Sequence, residues 1–176
     1  MPDHRAIWIN GPFGVGKTMV AGRLIEFRAT LRTLDPETVG TMLMANLADR
    51  PPDDFQDLPA WRLLVPVVAG AIVDATSQDL VVVQTVTDHA YWSQLEAGMA
   101  EHGILVTHVV LDCAETELRR RIQDDGVEHR AYDWRVDHID RFAAARPWLQ
   151  READLYLDTT LLTIDEVANR LVLEFA

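Results

Sequence analysis

The sequence predicts an open α/β fold, a five-stranded parallel sheet with helices on both faces, on three observations. Short apolar runs near 6–10, 31–34, 80–83, 104–111 and 155–157 have the length and composition of buried strands. Segments with helical periodicity separate them, and strands alternating with helices make parallel sheets. The first run enters a glycine loop that leads directly into a helix. With 176 residues and no internal repeat, linker or low-complexity tract, a single domain spanning 1–176 is expected.

The first strand is Ala6-Ile7-Trp8-Ile9. Next comes Gly11-Pro12-Phe13-Gly14-Val15-Gly16-Lys17-Thr18, which reads G-x-x-x-x-G-K-T, the phosphate-binding P-loop pattern. Gly11 and Gly16 let the backbone turn sharply and approach a phosphate closely. The N–H groups of the loop converge as an anion nest, and the next helix adds its N-terminal N–H groups and dipole. Lys17 supplies a point charge for the terminal phosphates, and the Thr18 hydroxyl is suited to ligate Mg²⁺. Val20, Ala21, Leu24 and Phe27 recur at helical spacing beyond it, so strand, loop and helix supply the context the motif requires. A bound nucleoside triphosphate is expected.

Leu31-Arg32-Thr33-Leu34 is a short second strand ending at Asp35-Pro36. Asp35 reads in two ways. It can cap the following helix, with Pro36 in the first turn. It can also be a functional carboxylate at the C-terminal edge of a strand next to the P-loop strand, where ligands lie in open α/β sheets. Residues 37–62 form an irregular excursion, with Val39, Met42, Leu43, Met44 and Leu47 suggesting a helix that Pro51-Pro52 ends. Its methionines can be core filler or an adaptable substrate wall, and the wall is the preferred reading. Trp61 to Ala75 is an apolar helix carrying Pro66.

Leu80-Val81-Val82-Val83 is a buried strand followed by Gln84. A helix bearing Tyr91, Trp92, Leu95 and Met99 on one face ends near His102-Gly103. The strand from Ile104 to Leu111 leads to a helix with Arg119, Arg120 and Arg121. Residues 123–146 then turn polar, aromatic and basic, which predicts an excursion covering a site and not a packed layer. His129 and His138 within it lack partners at metal-ligand spacing and read as ordinary lid histidines. The last helix carries Ile164, Val167, Ala168, Leu171, Val172 and Phe175 on one stripe. That stripe is read as a sheet-facing surface; peripheral membrane contact is its alternative.

Sixteen basic against 28 acidic side chains give a net charge of −12, which argues against a general nucleic-acid or anionic-membrane surface. Cys113 is the only cysteine, so neither a disulfide framework nor a cysteine-based metal site is expected. With neither a signal-peptide pattern nor an uncharged apolar stretch of spanning length, a cytoplasmic location is the expectation.

The P-loop, Asp35, the Arg119–Arg121 helix and the arginine-rich excursion together resemble the small P-loop kinases of the nucleoside-monophosphate-kinase type, including shikimate kinase and chloramphenicol phosphotransferase. Three stretches are similar to the tunicamycin-resistance P-loop proteins: Trp8 to Thr18, Leu34-Asp35-Pro36-Glu37-Thr38-Val39-Gly40, and Asp54-Phe55-Gln56-Asp57-Leu58-Pro59-Ala60-Trp61-Arg62. The resemblance implies ATP and Mg²⁺ as ligands, and protection against a uridine-containing nucleoside antibiotic by phosphorylation or sequestration. It also implies residue roles. Gly11, Pro12, Phe13, Gly14, Val15, Gly16 and Lys17 form the phosphate cradle, Thr18 holds the metal, and Asp35 accepts the proton of the acceptor hydroxyl. Arg121 stacks on adenine, while Arg130 and Arg135, in a short lid over 123–146, close over the transferring phosphoryl group.

One departure stands out. P-loop NTPases usually end the third strand with an aspartate for the metal, and here Gln84 stands there, with Asp88 four residues on. Either Asp88 reaches back, or the metal relies on Thr18, water and Asp35. Two functions follow. One is a kinase transferring the γ-phosphoryl group of ATP to a small hydroxyl-bearing acceptor, such as a nucleoside antibiotic. The other is a nucleotide-dependent module that sequesters its ligand without transfer.

Overall fold

The computed structural model describes residues 4–47, 49, 52–124 and 129–175, with side chains throughout except at 129–135 and 137. Five parallel strands, β1 (His4–Asn10), β2 (Leu31–Leu34), β3 (Asp79–Val83), β4 (Ile104–Asp112) and β5 (Leu155–Asp158), lie in the order β2-β3-β1-β4-β5. The helices between them are α1 (Lys17–Phe27), α2 (Glu37–Asn46), α3 (Pro59–Thr76), α4 (His89–Glu101), α5 (Glu115–Asp124), α6 (His129–Glu152) and α7 (Ile164–Glu174). The predicted fold class and all five strands are found.

Alternation along the central strand β1 decides the layers. Ile7 and Ile9 face one core, shared with Val20 and Leu24 of α1, Leu118 and Ile122 of α5, and Val167 and Leu171 of α7. Ala6 and Trp8 face the other, shared with Trp61, Val65 and Ala69 of α3 and Trp92, Leu95 and Met99 of α4. Strand β1 pairs Ile7 with Val81 on one side and Thr107 on the other, so it is buried between neighbours as well as between layers. The enclosed stretch Ala6-Ile7-Trp8-Ile9 is accordingly apolar throughout.

Two expectations need correction here. Strand β2 pairs with β3, not with the P-loop strand, because β3 takes the place beside β1. Asp35 therefore lies two strands away from the glycine loop. The polar stretch 123–146 is also less loose than its composition predicts. From His129 onward it is part of helix α6, which buries Ile139, Phe142 and Ala145, and Phe142 and Ala145 form a small third core with Leu149 and Val110. One apolar residue every three or four positions is enough to dock a helix whose other faces are charged.

Glycines set the close contacts between helices. A Cβ on Gly98 of α4 would meet the Pro66 ring at 2.7 Å, so the proline inside α3 fits against a position with no side chain. A Cβ on Gly40 of α2 would lie 2.5 Å from the Phe55 ring. That contact, with the Trp61 indole N–H donating to the Pro36 carbonyl at 3.0 Å, holds the 3₁₀ turn Phe55–Asp57 against α2. Helix α3 is apolar and long enough to cross a membrane by length and composition, but Trp61, Val65, Ala69 and Val73 are buried in the sheet-facing core. The apolar stripe of α7 packs likewise, through Val167, Ala168 and Leu171.

The docking of α6 is testable. Phe142→Ala should lower stability by about 3 kcal/mol, the range for emptying a buried aromatic site, as measured by urea denaturation. A loss below about 0.5 kcal/mol, the usual level for surface substitutions, would show that α6 is not packed.

Candidate functional site

The loop between β1 and α1 holds the conformation its motif calls for. Gly11, Gly14 and Gly16 all have positive φ, and a Cβ on Gly11 would sit 2.4 Å from the Leu111 carbonyl oxygen of the neighbouring strand. Lys17 extends its ammonium group back across the loop, donating to the Gly11 and Pro12 carbonyls at 2.9 and 3.0 Å. These are features of a phosphate cradle: a backbone that only glycine permits and a cation at its mouth.

The loop is anchored from below. Asn10, fully buried at the end of β1, accepts from the Gly11 N–H at 2.8 Å and the Val86 N–H at 3.0 Å, and its amide N–H donates to the Val86 carbonyl at 2.9 Å. The second amide hydrogen points to His108 Nε2 at 3.3 Å. His108 Nε2 must therefore accept, so the neutral ring carries its proton on Nδ1, which has no partner among the described residues. The ring stacks on Trp92 at 3.8 Å. Burial holds the imidazole pKa down to about 4, against smaller upward pulls from Asp154 and Glu152. The Thr85 hydroxyl adds a second tie, donating to the Gly11 carbonyl at 2.6 Å.

A cleft of about 750 Å³ opens over the loop, bordered by Lys17, Thr18, Asp35, Glu37, Gln84 and Arg121. Arg121 donates to Glu117 at 2.8 Å and to the carbonyls of Val15 and Thr159 at 3.4 and 3.1 Å, so it bridges the P-loop and the end of β5. Arg119 and Arg120 do not join it. They pair with Glu115, and with Glu117 and Asp124, on the outer face of α5. Glu117, hydrogen-bonded by Arg120 and Arg121, is held down to about 2. Asp35 lies one residue ahead of Pro36, the N-cap of α2, where it accepts from the Glu37 N–H at 2.9 Å, and it also borders the cleft.

A second cavity of about 220 Å³ adjoins the first, and Phe13, Glu37, Gln84 and Thr85 line both. Asp54, Phe55, Gln56 and Asp57 form one wall, Asp88 and Tyr91 another, and His138 and Arg141 of α6 a third. The wall expected of methionines is built instead by the 3₁₀ turn; neither Met42 nor Met44 lines the cavity. Asp88 lines this cavity and caps α4, accepting from the Tyr91 N–H at 3.0 Å. His138 packs edge-on against Phe13 at 5.6 Å. The Arg130 and Arg135 side chains lie outside the described residues. Among the described residues, no group of three or more His, Cys, Asp or Glu side chains could hold a metal by itself.

Sequence reasoning missed most of this second cavity. It also missed Arg146, which forks onto Asp112 at 2.8 and 3.1 Å while the Tyr156 hydroxyl donates to the same carboxylate. Asp112 ends β4 as a strand-terminal acid, and that position was the available signal.

Sheet order, glycine loop and cleft define a P-loop fold of the kinase-like type. The family model described as an AAA domain matches residues 7–146, and the chain belongs to that family. In three dimensions it is similar to the tunicamycin resistance protein of Deinococcus radiodurans, at 27% identity and a TM-score of 0.77 over 97% of this chain and 95% of that one. A Janibacter sugar kinase matches at 15% identity and TM-score 0.66, covering 98% and 96% of the two chains. A shikimate kinase from Acinetobacter baumannii, in complex with shikimate, matches at 15% identity and TM-score 0.63, covering 97% and 92%. No curated protein matches in sequence.

The buried His108 makes stability depend on pH. Its folded pKa lies below the unfolded value of 6.5, so the unfolded chain binds the extra proton and stability falls as pH drops from 6.5 towards 4. At pH 5 the loss from this group should be about 2 kcal/mol. Urea titrations at pH 7 and pH 5 should show that increment in the wild type and not in His108→Gln.

Proposed function

We propose that this protein is an ATP-dependent phosphotransferase acting on a small hydroxyl-bearing molecule. The observation that carries the reading is the pair of adjoining compartments: a P-loop cleft that Lys17 and Arg121 face, and a smaller pocket sharing Phe13, Glu37, Gln84 and Thr85. A transferase needs two ligands bound with their reacting groups facing each other, and a single nucleotide cleft would not provide that.

Magnesium-bound ATP supplies the transferable phosphoryl group, and the residues present fit it. The glycine loop offers backbone N–H groups at positive-φ positions, Lys17 a cation and Thr18 a hydroxyl for the metal. Catalysis of this kind is mostly positioning and charge stabilisation, and here Lys17 and Arg121 carry the positive charge facing the cleft. Asp35 borders the same cleft and takes the role of orienting the acceptor hydroxyl and receiving its proton. Arg130 and Arg135 act as lid arginines on the first turns of α6. The likeness to a tunicamycin resistance protein supports a nucleoside antibiotic as acceptor, with resistance as the outcome. The glutamine at the end of β3 favours one other reading, in which bound nucleotide orders the pocket and the ligand is sequestered unchanged.

Lys17→Ala should abolish tight ATP binding in calorimetry while leaving the urea midpoint within experimental error, because Lys17 contacts the loop mouth and not the core. Asp35→Asn separates the two readings. Asparagine caps a helix as well as aspartate does, so the fold should hold, while phosphoryl transfer should fall by about 10²–10⁴-fold if Asp35 takes the proton. Full turnover in Asp35→Asn would leave Asp35 as a cap alone. Wild-type binding of an acceptor without any ADP release would favour sequestration.

A further inference from the structure

The smaller pocket has a one-sided hydrogen-bonding character. Carboxylates, which when ionised only accept, come from Glu37, Asp54, Asp57 and Asp88. The donors around it are largely committed within the protein. Thr85 donates to the Gly11 carbonyl, the Gln56 amide to the Thr85 carbonyl at 3.0 Å, and the Tyr91 hydroxyl to Asp57 at 3.0 Å. Arg141 is the guanidinium in the described lining, and His138 adds a group that is cationic only when protonated. Arg62 stands behind the Tyr91 ring, 4.0 Å from its centroid, and donates to Gln94 and to the Gln56 carbonyl. Counting both arginines, the described lining of the pocket remains net acidic.

Gln84 gives an independent sign of what the pocket takes. The residue is 3% exposed, lines both compartments, and donates its amide N–H to the Thr85 carbonyl at 3.3 Å. That bond fixes which amide atom is the oxygen, and Gln84 Oε1 has no hydrogen-bond partner among the described residues. A buried amide oxygen left without a donor costs on the order of a kcal/mol or more, so such a group calls for a donor from outside.

We propose, on the reading that this chain phosphorylates a small acceptor, that the acceptor is a donor-rich polyhydroxyl compound of the amino-sugar or nucleoside kind that carries no anionic group. Gln84 Oε1 accepts a hydrogen bond from an acceptor hydroxyl beside the P-loop cleft. Asp54, Asp57 and Asp88 take the remaining hydroxyl or ammonium donors. Phosphate- or carboxylate-bearing molecules of the same shape are repelled by the carboxylates.

Two matched probe pairs test this by calorimetry on the full chain with Mg·ADP present: glucosamine with glucosamine 6-phosphate, and uridine with uridine 5′-monophosphate. The non-anionic member of at least one pair should bind at least tenfold more tightly than its phosphate. The double variant Asp54→Asn/Asp57→Asn keeps both carbonyl acceptors and removes two charges, and it should narrow that ratio by about tenfold, the scale of a charge-assisted hydrogen bond. Gln84→Leu, which removes the acceptor oxygen, should weaken binding of the non-anionic probe. Preference for the phosphate members, no binding by either non-anionic probe, or an unchanged ratio in the double variant would overturn the proposal. ADP release, followed in the same samples with ATP, reports separately on transfer. A non-anionic probe that binds with the expected selectivity and releases no ADP overturns the kinase reading and upholds the acceptor class.

Discussion

The molecule depends on one buried side chain, the Asn10 carboxamide, at the point where β1 stops being a strand. A glycine loop is intrinsically soft, and a phosphate cradle works only if its backbone is already in place when the ligand arrives. Asn10 removes that softness by joining the Gly11 N–H, both backbone groups of Val86 and the His108 ring in one network. Thr85 ties the Gly11 carbonyl from the other side. Loop, β3 exit and β4 are thereby held as one unit. The network also requires a neutral imidazole, so the stability of the whole domain and the shape of the cradle share a single titrating group.

That constraint explains the aromatic content of one layer. Trp8, Trp92 and Trp148 surround the network, with Trp8 donating its indole N–H to the Gln84 carbonyl and Trp148 donating to the Thr87 carbonyl. Trp8 and Trp148 each contribute a large apolar surface and one directed hydrogen bond, a combination aliphatic residues lack, while Trp92 contributes its ring face to His108. The segment from Gln84 to Thr87 is irregular backbone, and irregular buried backbone needs such partners. Both compartments of the site then rest on a segment whose polar groups are satisfied by side chains from the layer beneath.

The parts legible in sequence were those encoded locally. The P-loop is contiguous, its strand and helix flank it, and strand periodicity is read within five or six residues. Strand order was only partly legible: β3 beside β1 is a matter of long-range pairing, and this misplaced Asp35. The acceptor pocket was least legible because its walls come from three separate elements, brought together by contacts such as Gly40 on Phe55 that no spacing rule signals. Composition misled at 123–146. Ile139, Phe142 and Ala145 are sparse among charged neighbours, yet they suffice to dock a helix. Arg119, Arg120 and Arg121 look equivalent in sequence, and helical geometry alone turns Arg121 to the P-loop and the other two to solvent.

The two compartments differ in charge: cations and carboxylates balance around the P-loop cleft, while carboxylates prevail in the described lining of the smaller pocket. Lys17 and Arg121 face the P-loop cleft together with Asp35; Asp54, Asp57 and Asp88 face the smaller pocket together with Arg141; Phe13, Glu37, Gln84 and Thr85 lie between. Such a division acts on each ligand separately, with Lys17 and Arg121 attracting phosphates and the aspartates attracting hydrogen-bond donors. A carboxylate at the end of β3 would have placed a charge on that boundary. Glutamine keeps the acceptor oxygen there without adding a second anion beside Glu37, so the feature that sets this chain apart from the usual P-loop pattern also limits the negative charge where the two compartments meet.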